Sequence, residues 1–124
     1  MRILVTGSRN LTNRQLVVEA LQVAAFGADP TELITVVHGA CPYGGADAFA
    51  SDWAEIAFNA EEEAHPADFD GLGPKAGPLR NQEMVDLGAD ICLAFPTEGS
   101  RGTWDCVRRA RAAGIPVEIH KENK

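Results

Sequence analysis

The chain has 124 residues, enough for one domain that buries roughly two-thirds of its unfolded surface without help from disulfides or metal. Eighteen acidic residues against eleven basic ones leave a net charge of −7, which argues against a large nucleic-acid footprint because phosphate contacts need clustered Lys and Arg. The three cysteines (Cys41, Cys92, Cys106) are odd in number and far apart, no Cys/His ligand spacing occurs, and no apolar run approaches a signal peptide or the roughly 20 residues of a membrane span, so a cytoplasmic protein without membrane contact, bound metal or cofactor is expected.

Arg2 to Thr6 is a short apolar run ending at Gly7 and reads as a buried strand. Thr12 with Gln15 matches a capping box, and Leu16, Ala20 and Ala24 fall on one face of the helix that follows, closed by Gly27 and the Asp29-Pro30 loop. Leu33 to Val37 is a second strand, running into His38-Gly39. After the loop ACPYGGAD, a helix over 46–58 carries Phe49, Trp53, Ile56 and Ala57 on one stripe. Glu61 to His65 is an acidic strand candidate, suited to a sheet edge. Residues 66–77 hold prolines and glycines without a period and read as a long loop, a feature that is usually functional inside a compact domain.

A helix from Pro78 or Leu79 to Leu87 follows, ended by Gly88. The next strand runs from Asp90 to Phe95, the next helix from Trp104 to Ala113 before Gly114, and a last strand spans 117–119. Residues 1–120 form one domain and 121–124 a polar tail. Strand and helix alternate throughout, which favours a parallel sheet with helices on both faces. Right-handed crossovers favour strand order 3-2-1-4-5, an α/β Rossmann-like three-layer fold whose ligand site lies where the order reverses, beyond the first and fourth strands. Two glycine-bearing turns follow those strands: Gly7-Ser8-Arg9 and, within PTEGSRGT, Gly99 to Thr103. A helix start with unpaired amides and a partial positive charge is an anion site, so the two turns are expected to meet over a phosphate-bearing ligand.

The common phosphate motifs are missing. There is no GxxxxGK[ST], and the first strand ends in TGSRN rather than GxGxxG. His38 closes the second strand where a ribose-binding acid would stand, and no GxSxG elbow is present. Four segments do point elsewhere when taken in order: MRILVTGSR, HGACPYGGADAFASDWA, ADFDGLGPKAGPLRNQEM and AFPTEGSRGTWDCVRRARAAGIPV. Together they resemble the YspA-type branch of the SLOG superfamily over nearly the whole chain. That superfamily also holds the "lonely guy" phosphoribohydrolases, a DNA-processing protein that loads recombinase on single strands, and sensors of nucleotide-derived signals. The resemblance implies a Rossmann-like fold and a small nucleotide-type ligand, with a homodimer as a common state. In the phosphoribohydrolases a lysine follows the arginine matched by Arg80; here Asn81 stands there, with Met84 four residues on from the arginine. Their PGGxGTxxE motif is matched by Pro96, Gly99 or Ser100, Gly102 and Thr103, but its glutamate falls on Cys106. Asp105 stands one residue early, turned about 100° around the helix.

Arg80 and Asp47 are the two candidates for a catalytic role, and both also count among the ligand-binding candidates. Arg80 would clamp a phosphate from a helix start, a place otherwise slightly unfavourable to a cation. Asp47 opens its helix either as a dipole partner or as a ribose ligand and general base. The remaining ligand-binding candidates are Gly7, Ser8, Arg9, His38, Gly39, Gly45, Asn81, Pro96, Gly99, Ser100, Gly102 and Thr103. His38 also fits a purely structural role, Ser8, Ser100 and Thr103 also fit local caps and turns, and Trp104 suits either a base or a subunit interface. Three functions are open at this point. The first is binding of a nucleotide or derivative as sensor or carrier. The second is hydrolysis of the N-glycosidic bond of nucleoside monophosphates, with Asp47 or Asp105 as acid/base. The third is a DNA-processing accessory or interaction module.

Overall fold

A computed structural model describes residues 1–29, 31–41 and 44–121. Pro30 of the loop after the first helix, Pro42 and Tyr43 of the ACPYGGAD loop, and 122–124 of the polar tail lie outside the described residues.

Five strands, β1 (Arg2–Gly7), β2 (Ile34–His38), β3 (Ala60–Ala64), β4 (Ile91–Phe95) and β5 (Val117–Ile119), form one all-parallel sheet in the order β3-β2-β1-β4-β5. The sequence reading of an α/β fold with that order holds. Period-two alternation decides which side chain goes to which face. Ile3 and Val5 of β1 join the core beneath α1 (Arg14–Phe26) and α2 (Ala46–Ile56), while Leu4 between them joins Met84, Cys92 and Cys106 beneath α4 (Ala76–Asp86) and α5 (Arg101–Ala112). A strand covered on both faces has no place for polar residues, which is why β1 and β4 read as near-continuous apolar runs. In β1 and β4 the register pairs Leu4 with Cys92 and carries on to Gly7 opposite Phe95, so both strands end at the same level. β3 is an edge, and its glutamates keep that edge charged.

Five local expectations are corrected. The cap of α1 is Asn13, not Thr12: its side chain accepts from the Leu16 amide at 3.1 Å. Val17, Ala20 and Leu21 are the buried stripe of that helix, with Leu16 and Ala24 at its margin. In α2 the buried stripe is Ala46, Ala50, Ala54 and, as expected, Trp53; the three alanines bring the helix close to the sheet, and Ile56 is 77% exposed. Residues 66–77 are not one loop but α3 (Phe69–Leu72), a 3₁₀ turn over Gly73–Lys75 and the first turn of α4. Asp68 caps α3 by accepting from the Gly71 amide at 2.9 Å, and Pro78 sits in the first turn of α4, where its missing N–H costs nothing. Finally, α5 starts at Arg101, three residues before the expected Trp104, because the Gly99 turn (φ 77°) has already reversed the chain.

Candidate functional site

The site is built from three loops and one helix at the C-terminal ends of β1 and β4. The β1–α1 turn is locked against the start of α2 by two glycines. A Cβ on Gly7 would overlap that of Ala46, and one on Gly45 (φ 76°) would overlap the Ser8 carbonyl and the Arg9 backbone. The Ser8 amide donates to Phe95 at 3.1 Å and its carbonyl accepts from Ala46 at 3.2 Å, so β1, β4 and α2 share one junction. The Ser8 hydroxyl accepts from the Asn10 amide (3.0 Å) and the Thr97 hydroxyl (2.6 Å), which ties the turn after β1 to the turn after β4.

In that second turn Ser100 is the N-cap of α5, yet its side chain caps nothing. Its Oγ accepts from the Thr97 amide at 3.0 Å and donates to the Thr97 carbonyl at 2.7 Å. The amides of Gly102 and Thr103, the second and third residues of α5, are thus left without the side-chain acceptor such positions usually have. Gly102 is unusual in a second way. Of the twelve glycines in the chain it alone combines an ordinary φ with nothing within 4 Å of a built Cβ. Glycine there costs helix stability, roughly 1 kcal/mol against alanine in a helix interior, and neither packing nor backbone geometry requires it.

Arg80, on α4, reaches across to the loop after β2. Its Nη1 donates to the Gly39 carbonyl (2.6 Å) and the His65 carbonyl (3.3 Å), and its Nε donates to Asn81 Oδ1 (2.9 Å). A Cβ on Gly39 would displace the guanidinium from this position. Nη2 takes no part in these bonds. Asn81, 4% exposed, passes the connection on by donating to the Gly102 carbonyl at 3.2 Å and to Asp105 Oδ2 at 3.0 Å. Its amide clips α4 to the first turn of α5 while its Oδ1 accepts from Arg80, a combination that a lysine, which has no acceptor, would not supply.

Asp47 is 7% exposed and accepts from the backbone amides of Cys41, at 3.2 Å, and Gly39. Burial pushes its carboxyl above the usual range, opposed first by nearby His38 and then by the Cys41 amide, the Arg80 guanidinium and the Gly39 amide. Ala40, between these partners, has φ 53°, a strained value for a residue with a side chain, and its amide donates to His38 Nδ1 at 3.0 Å. That bond places the His38 proton on Nε2, facing Glu62 at 2.9 Å.

These parts enclose a cavity of about 390 Å³. Its lining includes Gly7, Ser8, Arg9, Gly39, Asp47, Arg80, Asn81, Gly99, Ser100, Gly102 and Thr103, eleven of the residues singled out from sequence. His38 and Gly45 stand behind it as supports, and Pro96 lines a neighbouring cavity with Trp104. Val5, Thr6, Asn10, Cys41, Met84 and Arg101 also line it; Arg101 lies within the Gly99 to Thr103 turn expected to hold phosphate, and Asn10 is the residue next to the Ser8-Arg9 turn, so widening that turn by one residue would have found it. Arg9, Arg80 and Arg101 against Asp47 make the lining positive in a protein of net charge −7.

Asp105 and Cys106 are placed elsewhere. Burial raises the Asp105 carboxyl, but hydrogen bonds from Arg109 and Asn81 and the charge of Arg108 outweigh it and hold the group below the usual range. Cys106, 0% exposed, belongs to the core beneath α4 and α5. Among the described residues no group of three or more His, Cys, Asp or Glu is placed to hold a metal ion, and no helix is long and apolar enough to cross a membrane.

Comparison with known proteins agrees with this architecture. A family model described as the YspA, cpYpsA-related SLOG family matches residues 1–71. The chain is also 48% identical over 120 residues to the "Gene 61 protein" of Mycobacterium phage D29, covering 94% of this chain and 93% of that protein. The chain belongs to the YspA, cpYpsA-related SLOG family. No solved structure matches it.

Proposed function

We propose that this is a cytoplasmic protein that binds a nucleotide or nucleotide derivative, as sensor or carrier, with the phosphate end of the ligand in the cavity beyond β1 and β4. The observation that carries this reading is the start of α5. Its N-cap serine is turned away from the helix amides, and a glycine with no structural reason stands over them. A phosphate oxygen supplies the acceptor that Ser100 does not, and only a residue without a side chain lets it approach. Arg80 adds the Nη2 edge of its guanidinium, fixed in direction by the bonds at Nε and Nη1. Asn81 acts through Arg80 and Gly102 rather than on the ligand. Asp47 faces the ribose hydroxyls, and no metal is needed because amides and arginines supply the charge.

The test is a thermal-shift screen of mono-, di- and cyclic nucleotides, ADP-ribose and NAD on the wild type and on Arg80→Lys. At 100 times its Kd a ligand adds about 2.7 kcal/mol, a shift of order 10 °C for a chain this size. A shift in the wild type that shrinks in Arg80→Lys is expected; no shift with any compound contradicts the reading.

A second reading, hydrolysis of the N-glycosidic bond of nucleoside monophosphates, is favoured by one observation: Asp47 is a buried carboxyl with a raised pKa that lines the cavity. Release of free base from a nucleoside monophosphate, abolished in Asp47→Asn, is its signature. Asp105 has no part in it, being held by Asn81, Arg108 and Arg109.

A further inference from the structure

Beside the anion cavity lies a second one of about 440 Å³, and the two share Arg80, Asn81, Arg101 and Gly102. Its walls come from two elements. From the α3–α4 segment comes Phe69, 58% exposed, whose ring edge lies where a Cβ on Gly77 would just touch it. From α5 come Arg101 and Arg108, seven residues and therefore about two turns apart on the same helix face. We infer that this second cavity is the base subsite of the nucleotide-binding site, in which a planar nucleobase stacks on Phe69 with the α5 arginines opposite.

The inference rests on the nucleotide reading above and adds the direction in which the ligand leaves the phosphate. Three observations select this side. The shared residues put the opening next to Gly102, where the phosphate lies, so a ribose spans the junction. Phe69 and the two arginines line one cavity, with Asp105 paired to Arg108 on the α5 wall, and bases stack on aromatic rings and on arginine planes alike. Among the described residues Trp104 is the other aromatic near the anion cavity; it lines one space with Pro96 and Glu98 and another with Ser100, Arg101 and Arg108, but Lys121 Nζ already sits 5.9 Å from its ring centroid. The capped α3 turn then has a purpose: Asp68 accepting from Gly71 holds Phe69 in place at the cavity edge.

Titration of ADP and of inorganic pyrophosphate into the wild type, Phe69→Ala, Phe69→Trp and Trp104→Ala tests this. Phe69 is exposed, so its variants keep the fold. Phe69→Ala is expected to weaken ADP by about fivefold or more while leaving pyrophosphate unchanged, in line with what one stacked base contributes. Phe69→Trp is expected to keep ADP binding, with the new indole quenched by ADP and not by pyrophosphate. Equal ADP binding in wild type and Phe69→Ala overturns the subsite while leaving the anion site standing. Selective loss of ADP in Trp104→Ala, with Phe69→Ala unaffected, places the base on the other side and also overturns it. Failure of the wild type to bind either compound overturns the nucleotide reading itself.

Discussion

Glu63 shows how much a single side chain on the edge strand organises. Its carboxylate takes Arg2 in a fork, Nη1 at 3.1 Å and Nη2 at 2.8 Å, and accepts from His65 Nε2 at 2.8 Å. The Arg2 and His65 hydrogen bonds hold it down to about 2. A folded-state value below the unfolded one means stability that is present above the ordinary glutamate range and lost as pH falls from about 4.5 to about 2. The side chain is 34% exposed, so solvent screening reduces the contribution to about 1 kcal/mol. Urea midpoints measured across that window should fall for the wild type and fall less steeply for Glu63→Gln. Asp47 has the opposite sign. Burial raises its folded value, so the native state prefers the proton and loses stability as pH rises above the unfolded value of about 4. Asp47→Asn should therefore raise Tm at pH 7 and leave it nearly unchanged at pH 3; a lower Tm at pH 7 would show that the carboxylate is needed to hold the Cys41 and Gly39 amides.

At the level of elements, the caps set where helices begin. Asn13→Ala removes the bond to the Leu16 amide and should cost about 1 kcal/mol, read as a lower midpoint in chemical denaturation. The sheet was legible because both its faces are covered, so β1 and β4 carry near-continuous apolar runs and β5 stands isolated between Pro116 and the tail. The same pattern, with two glycine turns after β1 and β4, pointed to the place where the cavity lies. What stayed hidden has local causes. Around α3 the helical turns are four and three residues long, too short for a 3.6 period to show, and they are held by an Asp68 cap among glycines and prolines that read as loop. Ile56 looked like core because it is large, whereas α2 packs through alanines. The Arg80 clip onto the Gly39 and His65 carbonyls is invisible in sequence, since it joins residues 41 and 15 positions apart.

On the scale of the whole molecule, an acidic protein concentrates three arginines around one cavity. On the proposed reading the ligand is a small anion, because the phosphates of a polymer would extend over the acidic remainder of the surface. A single-stranded oligonucleotide should give no mobility shift at 0.15 M salt, and a shift with a steep salt dependence would bring back the nucleic-acid reading. The most direct measurement is calorimetric titration of ADP into the wild type and Gly102→Val, with Tm recorded for both. The added Cβ meets nothing within 4 Å and valine favours a helix over glycine, so the Tm of the variant should equal or exceed the wild-type value. ADP should bind the wild type saturably and the variant at least about tenfold more weakly, as a branched side chain over the α5 amides excludes the phosphate. Equal binding in the two proteins, or none in the wild type, would contradict a phosphate site at the start of α5.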